Sequence, residues 1–448
     1  MGMSQLDLAK VGEAFAHDSA WAGASWTTKP KVVWVHGAEC TGCSVSLLSL
    51  FENATGKAIE GASYSTVAAL DLAVGGNGSG THVLAANPYG DGTHPYGHRT
   101  ISKTGSVTGS DFNAVAEGGD PYIIDIADVL IDFIDLQYHE TIMGMGSDLA
   151  YQWLKDSMDT PGAPFVLIVE GAIQPKELGG YWNSSPGTAA ANPGRAPWCS
   201  IGVDGTPEAV NPHELSFDDV VFDLATQAEC AAVIPIGQCA CFGGYPACVS
   251  PVLGEGQTGA MGTYDFLAYK GSAAKDKVVA VPGCPTNPWW FILTVVAWLV
   301  DFTNGPGNVG PAPAFTPAPT AGPLGILKAN GKINPAAVDS QRRLKAVYGQ
   351  TLHGAFCTRY QDFLDGKFAA KSGDPGCLQL IGCKGMQTMT LCAAHGWNGQ
   401  QPTNNATWDY GVQAVHGIKG GNCVAGGAPC MGCTEAGYPD SFLPFIVR

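Results

Sequence analysis

Lys31–Gly37 reads KVVWVHG and runs directly into AECTGCSVSLL at 38–48. A continuous β-branched run closed by glycine, without polar alternation, is the pattern of a parallel strand covered on both faces. Three further runs share it: Pro164–Gly171 (PFVLIVEG), Ala231–Gly237 (AAVIPIG) and Val278–Gly283 (VVAVPG). Helical patterns fall between and around them, over Ser44–Ala54, Ile124–Phe133, Thr141–Asp156 and Phe217–Ala228. Ser216 supplies an N-cap for the last of these, with Asp218 and Asp219 in its first turn. Strands alternating with helices predict the α/β class, a doubly wound parallel sheet.

Working outward, residues 1–27 form an N-terminal extension and 28–304 the α/β domain. Two stretches interrupt that domain, at about 74–120 and 184–213, both rich in small polar residues and poor in apolar periodicity. Residues 305–325 (GPGNVGPAPAFTPAPTAGPLG) form a Pro/Gly-rich linker expected to be extended. A second domain follows over 326–448, poor in strand signals and rich in cysteine, glycine and short helical pieces. The longest apolar run, Trp289–Val300 (WWFILTVVAWLV), is 12 residues long and stops at Asp301. A membrane-spanning helix needs about 20 residues, so this run is read as a buried core helix and no transmembrane segment is expected.

The 448 residues carry 23 Lys and Arg against 39 Asp and Glu, a formal charge of −16. No basic cluster interrupts that balance, which argues against a nucleic-acid partner. The first arginine is Arg99, so the N-terminus has neither a basic leader region nor a twin-arginine signal. Fifteen cysteines are an odd number, which argues against a complete set of disulfides. With no leader a reducing compartment is expected, and there clustered thiols bind metal more often than they crosslink.

The cysteines fall at informative places. Cys40 and Cys43 follow the first strand, Cys239 the third of the four runs and Cys284 the last. In an open parallel sheet, ligands bind beyond the carboxyl ends of the strands, so three loops deliver four thiolates to one edge. Gly42, Gly237, Gly243, Gly244 and Gly283 beside them allow close backbone approach. Four thiolates can hold a 4Fe–4S cluster. Zinc is the rival, but zinc ribbons use local paired spacings, whereas here the third and fourth cysteines lie about 200 and 240 residues on. A second group comprises His353 and Cys357, four apart and on one face if helical, with Cys377 and Cys383. Three thiolates and an imidazole could carry another cluster, less negative and of higher potential. A third group is Cys392, Cys430 and Cys433, with Cys423 close by.

These motifs resemble the small, electron-transferring subunit of nickel–iron hydrogenases. The resemblance is carried by GAECTGCSVSLL at 37–48, YHETIM at 138–143, IVEGAI at 168–173, GQCACFGG at 237–244 and PGCPTNPWWF at 282–291. It continues through CLQLIGCKG at 377–385, CAAHGWN at 392–398 and PCMGCTEAGYPDSFLPF at 429–445, in the family's order. It implies a flavodoxin-like α/β domain followed by an irregular, mostly helical iron–sulfur domain. The first would hold a proximal 4Fe–4S cluster on Cys40, Cys43, Cys239 and Cys284. The second would hold a distal 4Fe–4S cluster on His353, Cys357, Cys377 and Cys383, and a medial cluster on Cys392, Cys430 and Cys433. The nickel–iron centre belongs to a separate large subunit, so no catalytic acid, base or nucleophile is expected in this chain. Glu39 matches a family glutamate near the interface with that large subunit; a turn or surface carboxylate is the plainer reading.

Departures from the family pattern matter. Three residues, Gly354, Ala355 and Phe356, separate His353 from Cys357 where two are common. Either a helical turn absorbs the extra residue, the reading preferred here, or His395 or His416 replaces His353. Many members have a three-cysteine, 3Fe–4S medial site with proline near the fourth position. Cys423 lies close to that place, and we expect it to complete a four-thiolate 4Fe–4S cluster. The two extra proximal cysteines of oxygen-tolerant members are Gly42 and Gly244 here, implying an ordinary cubane. Cys199, Cys230, Cys241 and Cys248 are left as buried or free thiols.

The resemblance implies an obligate heterodimer with the large subunit, leaving open whether two heterodimers pair, and an external acceptor such as a cytochrome or a quinone-linked protein. An iron–sulfur electron-transfer subunit of another redox complex is the alternative, and a zinc-stapled module a third reading. The expected setting is the cytoplasm or the cytoplasmic face of a membrane, with a mature periplasmic form as the alternative.

Overall fold

A computed structural model describes residues 31–48, 134–158, 164–175, 199–204, 213–248, 258–288, 333–355, 357–392 and 422–439, with isolated positions between 290 and 328. The insertion at 74–120, most of that at 184–213, the linker, the 1–27 extension and the helix expected at Ile124–Phe133 lie outside them.

Strands β1 (Lys31–His36), β2 (Asp135–His139), β3 (Phe165–Glu170) and β6 (Cys230–Ile236) form one sheet in the order β2-β1-β3-β6, every pair parallel. The segment expected as a fourth strand at Val278–Gly283 lies parallel to β6 but pairs only through bridges at Val278 and Val281. Pro282 cannot donate to a ladder and ends it. This extends the order to that of flavodoxin-like folds, in which the chain reverses direction beside β1. Three strands carry no clear signal in the sequence. β2 reads DLQYH, too polar to register as a buried run, and it is an edge strand with its first three residues half-buried. β4 (Ser200–Asp204) and β5 (His213–Ser216) pair as a separate antiparallel ribbon.

The sheet divides two apolar cores by strand alternation. Val32, Trp34, Val166, Ile168, Ile234 and Ile236 face one side, and Val33, Val35, Leu167, Val169 and Val233 the other. Helices α2 (Ser147–Met158) and α3 (Phe217–Thr226) cover the second side through Leu154, Val221 and Leu224. Helix α1 (Gly42–Leu48) covers the first with Leu47, beside Trp290, Phe291, Val295 and Trp298. The described residues of the apolar run are thus helical and buried. Among the described residues no helix is long and apolar enough to cross a membrane.

Local details depart from expectation for physical reasons. The helix predicted from Thr141 starts at Ser147, because Gly144 and Gly146 lie just before it and disfavour helix. Ser216 does not cap α3; its hydroxyl bonds the Asp218 carboxylate instead.

The C-terminal region is a series of short helical turns at Lys345–Tyr348, Leu352–Ala355, Tyr360–Leu364 and Gln379–Ile381, joined by loops. It packs on the first core through Val347, Tyr348, Leu352, Leu378 and Cys430. Polar ties reinforce the packing: Tyr348 Oη donates to the Pro282 carbonyl at 2.9 Å and Gln238 Nε2 to the Glu435 carbonyl at 2.7 Å. Arg343, 3% exposed, bonds Asp339 at 2.7 Å and Glu435 at 2.9 Å.

Candidate iron–sulfur sites

The carboxyl ends of β1 and β6 and the bend after Val281 converge on one edge of the sheet. After His36 the chain passes through Thr41, at φ 59°, into α1, so Cys40 lies just before the helix and Cys43 within it. Cys239 lies in α4 (Gly237–Phe242). Burial pushes the Cys239 thiol up to about 12, and the nearby Cys284 and Cys40 add to the shift. Cys43 is driven well above the usual thiol range, first by burial, with Glu170, Cys239 and Cys284 contributing. Cys284 is raised by burial and by Cys40. Cys239 and Cys284 are thus each within electrostatic reach of the other three predicted proximal residues.

The glycines beside them differ in purpose. A Cβ on Gly237, at φ 83°, would stand 2.4 Å from Cys43 Sγ; on Gly42 it would lie 3.0 Å from Cys40 Sγ, and on Gly244 3.0 Å from Cys239 Sγ. These three keep space clear around sulfur. Gly243 and Gly283 do not: a Cβ there would first meet Ala247 and Thr286.

In the C-terminal region burial raises Cys357, and Cys383 and Cys377 add to it; Cys377 likewise opposes ionisation of Cys383. The helix holding His353 ends at Ala355, two residues before Cys357, so the two do not share one continuous helical face as expected. Instead the His353 N–H donates to the Gly385 carbonyl at 2.9 Å, which ties it to the chain just past Cys383. Its ring stands edge-on to Phe363 at 4.6 Å and Tyr360 at 5.0 Å. Burial lowers its pKa, which favours the neutral, ligating form. His353 Nε2 is buried and has no hydrogen-bond partner among the described residues, as an atom reserved for a metal would be. His395 and His416 lie outside the described residues.

The third group also assembles. Burial raises Cys392, Cys430 and Cys433, and Cys423 adds to the shift of each. Thr390 Oγ1 lies 2.9 Å from Cys392 Sγ, and Cys430 Sγ donates to Thr388 Oγ1 at 3.5 Å. Two neighbouring groups touch: the Cys430 N–H donates to Cys383 Sγ at 3.3 Å.

The donor sets fit iron–sulfur clusters. Thiols packed together in low dielectric oppose one another's ionisation, and a bound metal supplies the charge that deprotonates them outright. The described residues include all fifteen cysteines, and no disulfide joins any of them. The four leftovers satisfy themselves locally: Cys199 donates to the His36 carbonyl, Cys230 to Ala232, Cys241 to Pro235 and Cys248 to Gly244.

Glu39 is not a surface carboxylate. Its side chain is 10% exposed, and Oε1 accepts from Thr41 Oγ1 at 3.0 Å and pairs with His36 Nδ1 at 3.2 Å. Burial works against the charge of His36, but the Glu39 bond together with Glu170 and Glu140 outweighs it and raises the pKa. Glu170 and His139 complete this polar group. Neither stands out in the sequence as a site residue, although a glutamate ending the otherwise apolar run PFVLIVEG is the signal that could have found one of them.

The chain has relatives among known proteins. The family model described as NADH ubiquinone oxidoreductase, 20 Kd subunit, matches residues 123–298. A second model, for the C-terminal part of the NiFe/NiFeSe hydrogenase small subunit, matches 348–408. That match spans His353, Cys357, Cys377, Cys383 and Cys392. The chain is similar to the small subunits of nickel–iron hydrogenases. Among small-subunit relatives, that of the periplasmic [NiFeSe] hydrogenase of Desulfomicrobium baculatum is 27% identical over 322 residues, 72% of this chain and 79% of its own. The periplasmic [NiFe] hydrogenase small subunit 1 of Nitratidesulfovibrio vulgaris is 26% identical, covering 97% and 87%. A solved structure of the recombinant [NiFeSe] hydrogenase from Desulfovibrio vulgaris Hildenborough superposes with a TM-score of 0.56 at 25% identity, over 94% of this chain and 98% of that one.

Proposed function

We infer that this chain is the electron-transfer subunit of a nickel–iron hydrogenase, relaying electrons between the H2-activating large subunit and an external acceptor. The observation that carries the reading is the gathering of the cysteines into three groups, two of which touch through the Cys430 N–H donating to Cys383 Sγ. In this reading residues 28–304 hold the proximal cluster on Cys40, Cys43, Cys239 and Cys284. Residues 326–448 hold the medial cluster on Cys392, Cys423, Cys430 and Cys433 and the distal cluster on His353, Cys357, Cys377 and Cys383. When bound, such clusters supply one-electron redox chemistry.

The protein's own residues provide spacing, burial and order. The exposed Cys40 faces outward beside Glu39, which suits contact with a large subunit. At the other end, Tyr360 beside His353, with Leu364 and Phe368, leaves an exposed apolar rim, which suits approach of a redox protein such as a cytochrome or a quinone-linked protein. A role in another redox complex draws support from the 20 Kd subunit match, but the C-terminal match over 348–408 favours the hydrogenase. Two relatives named as periplasmic support a periplasmic setting more than the cytoplasmic one expected from the sequence.

Copurification with the large subunit, metal analysis and an H2-oxidation assay test the whole reading. Nickel together with about twelve iron per small subunit is expected for three 4Fe–4S clusters; iron without nickel would move the assignment to another redox complex, and zinc without iron would exclude both. Low-temperature EPR of the oxidised enzyme tests Cys423: a stoichiometric 3Fe–4S signal would remove it from the medial site.

A further inference from the structure

Glu170 ends β3, where the chain leaves the sheet beside the Cys40–Cys43 segment. It is 1% exposed, and every other residue of that strand is apolar. Burying a carboxylate is costly unless its oxygens are fully engaged. Here they are. Oε1 accepts from the backbone N–H of Cys43 at 3.0 Å and of Ser44 at 3.1 Å. Oε2 accepts from Ser44 Oγ at 2.6 Å and from Trp34 Nε1 at 3.1 Å.

The direction of the Ser44 bond is set by its other neighbour. The Thr141 N–H donates to His139 Nδ1 at 3.2 Å, so the ring proton of neutral His139 sits on Nε2. That nitrogen lies 3.2 Å from Ser44 Oγ, which therefore accepts from His139 and turns its own proton to Glu170. Four donors and no acceptor face the carboxyl group, the environment of an ionised glutamate. None of the four carries a full charge, so the anion is held by dipoles; the nearby group that can carry a positive charge is His36, whose ring lies within 4.8 Å of it without being one of the four donors. His36, Glu39 and Glu170 do bring ligand-type atoms within 4.8 Å of one another, but the four donors already occupy the oxygens of Glu170, which argues against a cation there.

We propose that Glu170 is a positioning residue for the proximal site: a buried anion that fixes the backbone of Cys43 and holds the reduction potential of the cluster bound there down. The inference rests on the ligand assignment above. A fixed negative charge beside a cluster disfavours adding an electron, and the N–H groups of Cys43 and Ser44 are turned to Glu170 and not to the cluster sulfur.

The test is an EPR-monitored redox titration of the heterodimer carrying Glu170→Gln. The proximal signal is first identified as the one lost in Cys239→Ala; if it survives there, the ligand assignment fails and this inference with it. With the assignment intact, Glu170→Gln should keep the cluster and raise the ratio of reduced to oxidised proximal cluster at fixed potential about tenfold, which is about 59 mV for a one-electron couple. The new amide would set a donor against Trp34 Nε1 or Ser44 Oγ, so the double variant Trp34→Phe/Glu170→Gln removes one of the clashing donors. A loaded proximal cluster with an unmoved midpoint overturns the proposal. Loss of that cluster from both variants, with the other two retained, also overturns it and leaves Glu170 a purely structural residue.

Discussion

The backbone N–H of Cys430 donates to Cys383 Sγ across 3.3 Å, although 47 residues separate the two in sequence. Cys430 belongs to the proposed medial set and Cys383 to the distal set. A main-chain hydrogen bond thus holds two neighbouring ligand groups in contact, and it also stabilises the sulfur that accepts it. Side-chain substitution cannot delete it directly, but the groups can be tested one by one.

Gly237→Ala should empty the proximal site. The added methyl would lie 2.4 Å from Cys43 Sγ, on a backbone at φ 83° that L-residues rarely adopt. Iron should fall by about four per small subunit, with loss of one 4Fe–4S signal. Gly271→Ala is the control: its φ is 66° but nothing lies within 4 Å, so it should cost only about 1 kcal/mol of backbone strain and leave iron content unchanged.

Cys423→Ala should convert the medial cluster to a three-iron form. The thiol of Cys423 sits near enough to oppose ionisation of Cys392, Cys430 and Cys433 together. A new 3Fe–4S signal in the oxidised variant, absent from the parent enzyme, is the expected EPR result. A parent-like spectrum would show that Cys423 is not a ligand.

Arg343→Met should destabilise the junction between the α/β domain and the C-terminal region. Arg343 also donates to the Thr434 carbonyl at 2.7 Å, and Glu435, 6% exposed, additionally accepts from the Met389 N–H. Removing one partner of such a buried pair costs about 3–5 kcal/mol, because the other charge is left uncompensated. The anaerobic denaturation midpoint should fall accordingly, and Arg343→Met/Glu435→Gln should recover part of the loss.

Stability should decline on acidification, in part through His139. Burial lowers its pKa from 6.5 to about 3, and the neighbouring His36 cation adds to that. Between those values the unfolded chain holds the proton and the folded one does not, so stability is complete above about pH 6.5 and is lost as pH falls towards 3. The contribution reaches about 1.4 kcal/mol per pH unit. His139→Asn should flatten the slope of unfolding free energy against pH in that window; an unchanged slope would place the acid sensitivity elsewhere.

The strands at Lys31, Pro164 and Ala231 were legible because all three are buried on both faces, which leaves little in the sequence but apolar residues. β2 was not, because an edge strand buries less and DLQYH carries no such run. The residues proposed as ligands drew notice for a related reason: cysteine beside glycine after a strand has few other uses, and the order of the motifs resembles the family's. Glu39 illustrates the limit. Its sequence neighbours suggest a turn, whereas its surroundings come from β1, Thr41 and the loop after β3.

By itself, then, the sequence determined the α/β class, the three groups of ligand-type residues and the kinship to hydrogenase small subunits, because periodicity and motif spacing are local and survive without coordinates. Only the tertiary structure sets Cys423 within electrostatic reach of Cys392, Cys430 and Cys433, brings Cys430 against Cys383, and faces Glu170 with four donors from β1 and α1. Most of those relations link residues tens to more than a hundred positions apart. They depend on how two cores close around one sheet, a property of the packed chain that no window of sequence contains.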